Sequence, residues 1–136
     1  MHPSGILEST LYVDDLEAAQ DFYSRVLGLE PFAMVEKRHI FYKCGEQVFL
    51  LFDPRSTRVT DPRAPIVVPV HGAIGAGHIC FRATAVEIEL WRIALETNSV
   101  EIEADFEWPQ GGRSIYFRDP AGNSLEFAEP RIWGLE

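Results

Sequence analysis

Glu8, His78 and Glu126 are the side chains of this sequence whose combination suits a divalent metal. Two carboxylates and one imidazole supply oxygen and nitrogen donors, and their joint charge of minus two cancels that of the ion. A cation also makes it tolerable to draw carboxylates into a cavity, where an unpaired charge costs roughly several kcal/mol. Taken singly, each residue has a plainer reading: a strand glutamate facing water, or a histidine hydrogen-bonded for structure. No local motif such as HExxH links them, so only a fold could gather them.

Alternation along predicted strands gives the trio something in common. In GILESTLYVDDL, residues 5–16, Leu7, Leu11 and Val13 form the face a helix should cover, and Glu8, Thr10 and Tyr12 lie opposite. In GHICFRA, Ile79, Phe81 and Ala83 form the helix face, with His78, Cys80 and Arg82 opposite. In NSLEFAEP, Leu125 and Phe127 face the helix, with Ser124, Glu126 and Ala128 opposite. All members of the trio therefore sit on faces away from the helices.

The elements that would carry these strands follow one plan, used twice. After the first strand, Leu16, Ala19, Phe22, Tyr23, Val26 and Leu27 recur at helical spacing. Asp14 with Glu17 suits a capping box, and Gly28 suits the position just past the helix end. PFAMVEK, HIFYKC and QVFLLFDP then read as strands. The second round runs GHICFRA, a helix over TAVEIELWRIALETN with Thr84 and Glu87 as capping box, then VEIEADFEW, GRSIYFRD and NSLEFAEP. Ile88, Trp91, Ile93, Ala94 and Leu95 are the apolar residues of that helix, and RDPAGNS is a tight-turn sequence. The expected fold class is α+β: paired βαβββ modules over 5–53 and 78–130, joined by a connector over 54–77, within a single domain 1–136. Each module is too small to bury a good core alone, which favours pairing. The connector has little periodicity outside IVVPV, where an edge strand is expected. Its length calls for a reason, such as covering a site or crossing between modules.

Composition narrows the partners. The 136 residues carry a net charge of -9, and the densest basic stretch is Lys37-Arg38, so nucleic acid and anionic membrane are poor partners. Cys44 and Cys80 form no CxxC and no evident pair, which fits a cytoplasmic location. MHPSGILES has no basic n-region followed by an apolar run, so no signal peptide is expected, and no apolar stretch is long enough to span a membrane.

LYVDDLEAAQDFYSRVLGL, GHICF and YFRDPAGNSLEFAEP, in that order, resemble the vicinal oxygen chelate superfamily, which includes glyoxalase I, extradiol dioxygenases, and fosfomycin and bleomycin resistance proteins. The resemblance covers nearly the whole chain. It implies strands curled into an open sheet around a metal cavity, with helices outside. It places the usual ligand positions at Glu8, Leu50, His78 and Glu126. Leu50 cannot ligate, and Glu8 stands where histidine is commoner. The implied cofactor is a divalent ion: Zn, Mn, Ni, Fe or Co. The implied partners are a small-molecule substrate and a second copy of the chain in a homodimer. Glu126 is the first choice of catalytic base by resemblance to glyoxalases, and Glu8 the second. The site with two glutamates favours a glyoxalase-like lyase or isomerase. An extradiol-type ring-cleaving dioxygenase and a non-catalytic, antibiotic-binding protein are the alternatives.

Further candidates surround that trio. His71, in the Gly-rich VPVHGAIGAGH, is an acid/base candidate on a loop that could cover a cavity mouth, or else a surface histidine. His39 is a weaker candidate. Arg82 and Arg118, predicted on inward faces, and Arg113 could hold an anionic group. Tyr12, Leu50 and Tyr116 are expected to line the substrate cavity, with core packing as the alternative for the tyrosines.

Overall fold

The computed structural model describes residues 1–136, which divide into compact units spanning Met1–Gly75 and Ala76–Glu136. The first unit runs β1 (Glu8–Tyr12), α1 (Leu16–Arg25), β2 (Pro31–Val35), β3 (His39–Cys44), β4 (Gln47–Phe52) and the short α2 (Pro54–Thr57). Its sheet order is β1-β4-β3-β2, with β1 parallel to β4 and the other pairs antiparallel. Leu11, Ile40, Tyr42, Phe49 and Leu51 are buried together with Ala19, Phe22, Tyr23 and Val26 of the helix side. Tyr23 seats its ring 5.2 Å from that of Phe49.

The second unit repeats the plan: β5 (His78–Arg82), α3 (Ala85–Thr97), β6 (Ala104–Glu107), β7 (Arg113–Arg118) and β8 (Ser124–Ala128), then a 3-10 turn at Pro130–Trp133. The order β5-β8-β7-β6 matches the first sheet, again with the pair β5–β8 parallel. Trp91 stacks on Phe127 at 4.5 Å, and Ile88, Leu95, Ile115, Phe117 and Leu125 are fully enclosed. Each unit is thus an open mixed sheet with a helix on one face, the α+β architecture expected from alternation. No helix is long and apolar enough to cross a membrane.

Several local expectations shift. The first helix is capped by Asp15, whose side chain accepts from Ala18 N at 3.0 Å, and not by the Asp14–Glu17 box. The Thr84–Glu87 box forms in full: Thr84 N donates to Glu87 Oε2 at 2.7 Å, and Glu87 N donates to Thr84 Oγ1 at 3.2 Å. Leu7 is 74% exposed and not core, because it precedes the first ladder pair, beyond what α1 covers. Ile93 is likewise exposed on α3. VEIEADFEW contributes only Ala104–Glu107 to the sheet. IVVPV forms no strand: Pro65 precedes it and Pro69 lies within it, and neither has the N–H a ladder needs. The connector instead begins with α2, capped by Asp53.

Candidate functional site

β5 and β8 lie side by side with His78 opposite Ser124 and Cys80 opposite Glu126, and β7 sets Tyr116 opposite Glu126 from the other side. Cys80, Glu126 and Tyr116 therefore form one cross-strand row on the face away from α3. Glu126 is only 5% exposed, and its Oε1 has no hydrogen-bond partner. Its Oε2 lies 3.3 Å from His78 Nε2.

The other ring nitrogen bears on what that short distance means. His78 Nδ1 is 3.0 Å from the carbonyl oxygen of Ser124. A carbonyl only accepts, so Nδ1 carries a hydrogen, and Nε2 is the ring atom that meets the carboxylate, either as the N–H of an ion pair or as a lone pair for a cation. In the second case a cation must stand between the two acceptors. A histidine that donates one ring N–H to a backbone carbonyl while offering the other nitrogen is the arrangement of metal-ligating imidazoles. His78 and Glu126 thus offer two donors suited to a divalent ion. The chain nowhere gathers three His, Cys, Asp or Glu side chains into a group that could hold an ion: His78 and Glu126 meet in the second unit, and the expected third ligand, Glu8, belongs to the first.

The neighbours of Glu126 keep their protons at neutral pH. Desolvation on the sheet face, and then the Glu126 carboxylate, pushes the Cys80 thiol up to about 12. Burial first and Glu126 second push the Tyr116 phenol up to about 12. Without an ion, Cys80 is therefore a thiol beside the carboxylate.

Asn123 sets the position of His78 and has no role in the sequence reading beyond turn chemistry. It is 1% exposed, its Oδ1 accepts from Gly77 N at 2.7 Å, and its Nδ2 donates to Asp119 Oδ2 at 2.9 Å. Asp119 in turn accepts from the backbone N–H groups of Ala121 and Asn123. The turn, with Gly122 at φ 87°, thereby pins the residue before His78 to the loop before Glu126. The signal in sequence was the DPAGN run itself, an Asx-type turn ending in an amide.

In the first unit Glu8 opens β1, is exposed, and stands opposite Val48. Tyr12 lies on the same face, and its hydroxyl is 2.6 Å from His71 Nδ1. The His71 ring meets Phe52 edge-on at 4.8 Å, and its backbone N–H donates to Thr57 O at 3.1 Å. Leu50 is buried opposite Thr10. The connector borders a cavity of ≈ 880 Å³ whose walls include Arg38, Thr57, Ile66 and Val68 and none of the expected site residues.

The arginines are engaged elsewhere. Arg118 holds Glu103 through two nitrogens at 2.7 and 3.0 Å and also donates to Gly122 O. Arg113 bridges Asp105 and Glu89. Arg82 is exposed and donates to the backbone oxygen of Glu136.

The profile of the glyoxalase/bleomycin resistance protein/dioxygenase superfamily matches residues 5–127. The chain belongs to that superfamily. A lactoylglutathione lyase from Agrobacterium tumefaciens is 43% identical over 99% of this chain and 100% of its own, with a TM-score of 0.93. An integron cassette protein from V. cholerae is 25% identical over 96% of this chain and 98% of its own, with a TM-score of 0.70. A fosfomycin resistance protein from Listeria monocytogenes, 20% identical over 93% and 91% with a TM-score of 0.69, shares the fold. No curated protein matches the chain. Superfamily members are metal-dependent as a rule. Within this member the modules differ at one telling place. Leu50 pairs with Thr10 as Glu126 pairs with Cys80, so the first unit has an apolar residue where the second has its buried carboxylate.

Proposed function

We propose that the protein is a metal-dependent enzyme that acts on a small oxygenated substrate chelated to a divalent ion, as a glyoxalase-like lyase or isomerase. The observation that carries this reading is the 3.3 Å approach of His78 Nε2 to a buried Glu126 carboxyl group whose other oxygen has no partner. The similarity to a lactoylglutathione lyase supports this reaction type. His78 and Glu126 are the donors from the second unit, and Glu8 is the proposed third. A bound divalent ion would supply Lewis-acid polarisation of adjacent substrate oxygens.

The protein's own groups do the rest. Glu126 is the base: its Oε1, which has no protein hydrogen-bond partner, takes the proton from the hydroxyl-bearing carbon beside the carbonyl and returns it to the former carbonyl carbon, while the hydroxyl proton passes from the first carbon's oxygen to the former carbonyl oxygen. The carboxylate ends the cycle as it began. Tyr116 and Cys80 flank it as protonated neighbours. Tyr12, Leu50, Arg82 and Arg118 are proposed to border the substrate, with His71 as a second proton carrier, in a cytoplasmic homodimer.

Reconstitution tests the reading. Stripped protein is loaded with Zn, Mn, Ni, Fe or Co in turn and assayed against α-ketoaldehyde thiol adducts and catechols. Stoichiometric uptake with turnover of the adducts is expected. Ring cleavage of catechols would instead make it a dioxygenase, and tight ligand binding without any ion would make it a binding protein.

A further inference from the structure

We infer that the substrate carries an uncharged planar π group next to its chelating oxygens, held on an aromatic ledge formed by Phe106, Tyr116 and Trp108. The inference rests on the reading of His78 and Glu126 as an ion-holding pair. The Tyr116 ring is the link. It lies near-parallel to the His78 ring at 6.2 Å and 21°, and near-parallel to Phe106 at 5.9 Å and 10°. Phe106 meets Trp108 edge-on at 4.9 Å and 69°. The row thus runs without a break from the imidazole to the indole.

The ledge is both fixed and open. Tyr116 sits on a strand paired on both sides, opposite Ala104 and Glu126. Trp108 is held by its indole N–H, which donates to Ser114 Oγ at 2.8 Å, and Ser114 is fully buried. Phe106 and Trp108 nevertheless remain 38% and 36% exposed. Ala104 stands opposite Tyr116 on this face and adds no bulky side chain beside the rings. The cations of the same face, Arg82 and Arg118, are bound to Glu136 and Glu103. A ring edge or face therefore finds more to hold it here than a carboxylate would.

Hydroxamates test the ledge, because benzohydroxamate and acetohydroxamate present the same chelating oxygens and differ in the ring. Calorimetric titration of the Zn-loaded full chain should show benzohydroxamate binding about tenfold tighter. Phe106→Ala, with Phe106→Leu as a milder variant, should bring the ratio below about threefold while ion content stays unchanged. Equal affinities in the unaltered protein would overturn the inference. Should the protein take up no ion, the reading of the pair fails, and the ledge is judged separately on metal-free protein by NMR. Shifts of the His78 and Tyr116 ring protons with benzohydroxamate and not acetohydroxamate then uphold it, and their absence overturns it. Dissociation of a dimer by Phe106→Ala with the ratio unchanged would assign the ledge to a second copy and also overturn it.

Discussion

Glu126→Gln separates two duties of one side chain. The amide keeps the shape and loses both the charge and the basicity. We expect turnover to fall by about 10²–10⁴-fold, the usual scale for a lost acid/base group. Loss of metal alongside turnover places the carboxylate among the ligands; turnover lost with the ion retained leaves it the base alone. Plasma emission analysis and steady-state kinetics on one preparation read both. Asn123→Ala acts on the same place indirectly. It strips Gly77 N and Asp119 Oδ2 of their partner in a buried turn. A cost of about 1–3 kcal/mol is expected in urea denaturation, together with weaker ion binding, since the turn positions His78. The place of His78 and Glu126 on one sheet face was legible in sequence because alternation put both away from the helix. The facing of Nε2 and carboxylate was not, because it depends on a backbone carbonyl of another strand.

Helix ends show how closely elements follow their local code. Asp15→Ala should cost about 1 kcal/mol, because the side chain caps an otherwise unsatisfied N–H. Asp14→Ala should stay within about 0.5 kcal/mol, although the sequence made Asp14 the cap. Chemical denaturation of both variants decides it; equal effects would contradict the observed cap. The one-residue error arose because Asp14 and Asp15 are both good caps, and only the path of the chain out of β1 chooses between them. The helices themselves were readable, since their apolar residues recur at helical period over several turns. IVVPV was misread as a strand because β-branched residues score well there whether or not a neighbouring strand exists to pair with them.

At the scale of the whole molecule, acid is the expected weak point. Asp53 is held below the ordinary carboxylate range by hydrogen bonds from the Arg55 side chain, Glu129 by those from Arg131, and Asp105 by those from Arg113. Groups whose folded values are lowered stabilise the fold fully above the unfolded values near 4, and that contribution disappears as pH falls through the lowered ones. The urea midpoint should hold steady from pH 7 to about 5 and drop below about 4. Asp53→Asn should flatten part of that drop. A chelator titration provides a further check: if the ion binds the folded chain, saturating metal at about 100 times its Kd should stabilise it by about 2.7 kcal/mol, with no such gain in Glu126→Gln if that residue is a ligand. The sequence by itself determined the repeated strand–helix–strand plan, the two faces of each strand and the superfamily, because periodicity and turn chemistry are local and were written twice in one chain. Only the tertiary structure decided that β8 lies between β5 and β7, so that a glutamate far along the chain from His78 ends beside it, out of water and with one oxygen unpaired. Strand pairing between distant segments fixes that arrangement, and no local pattern encodes it.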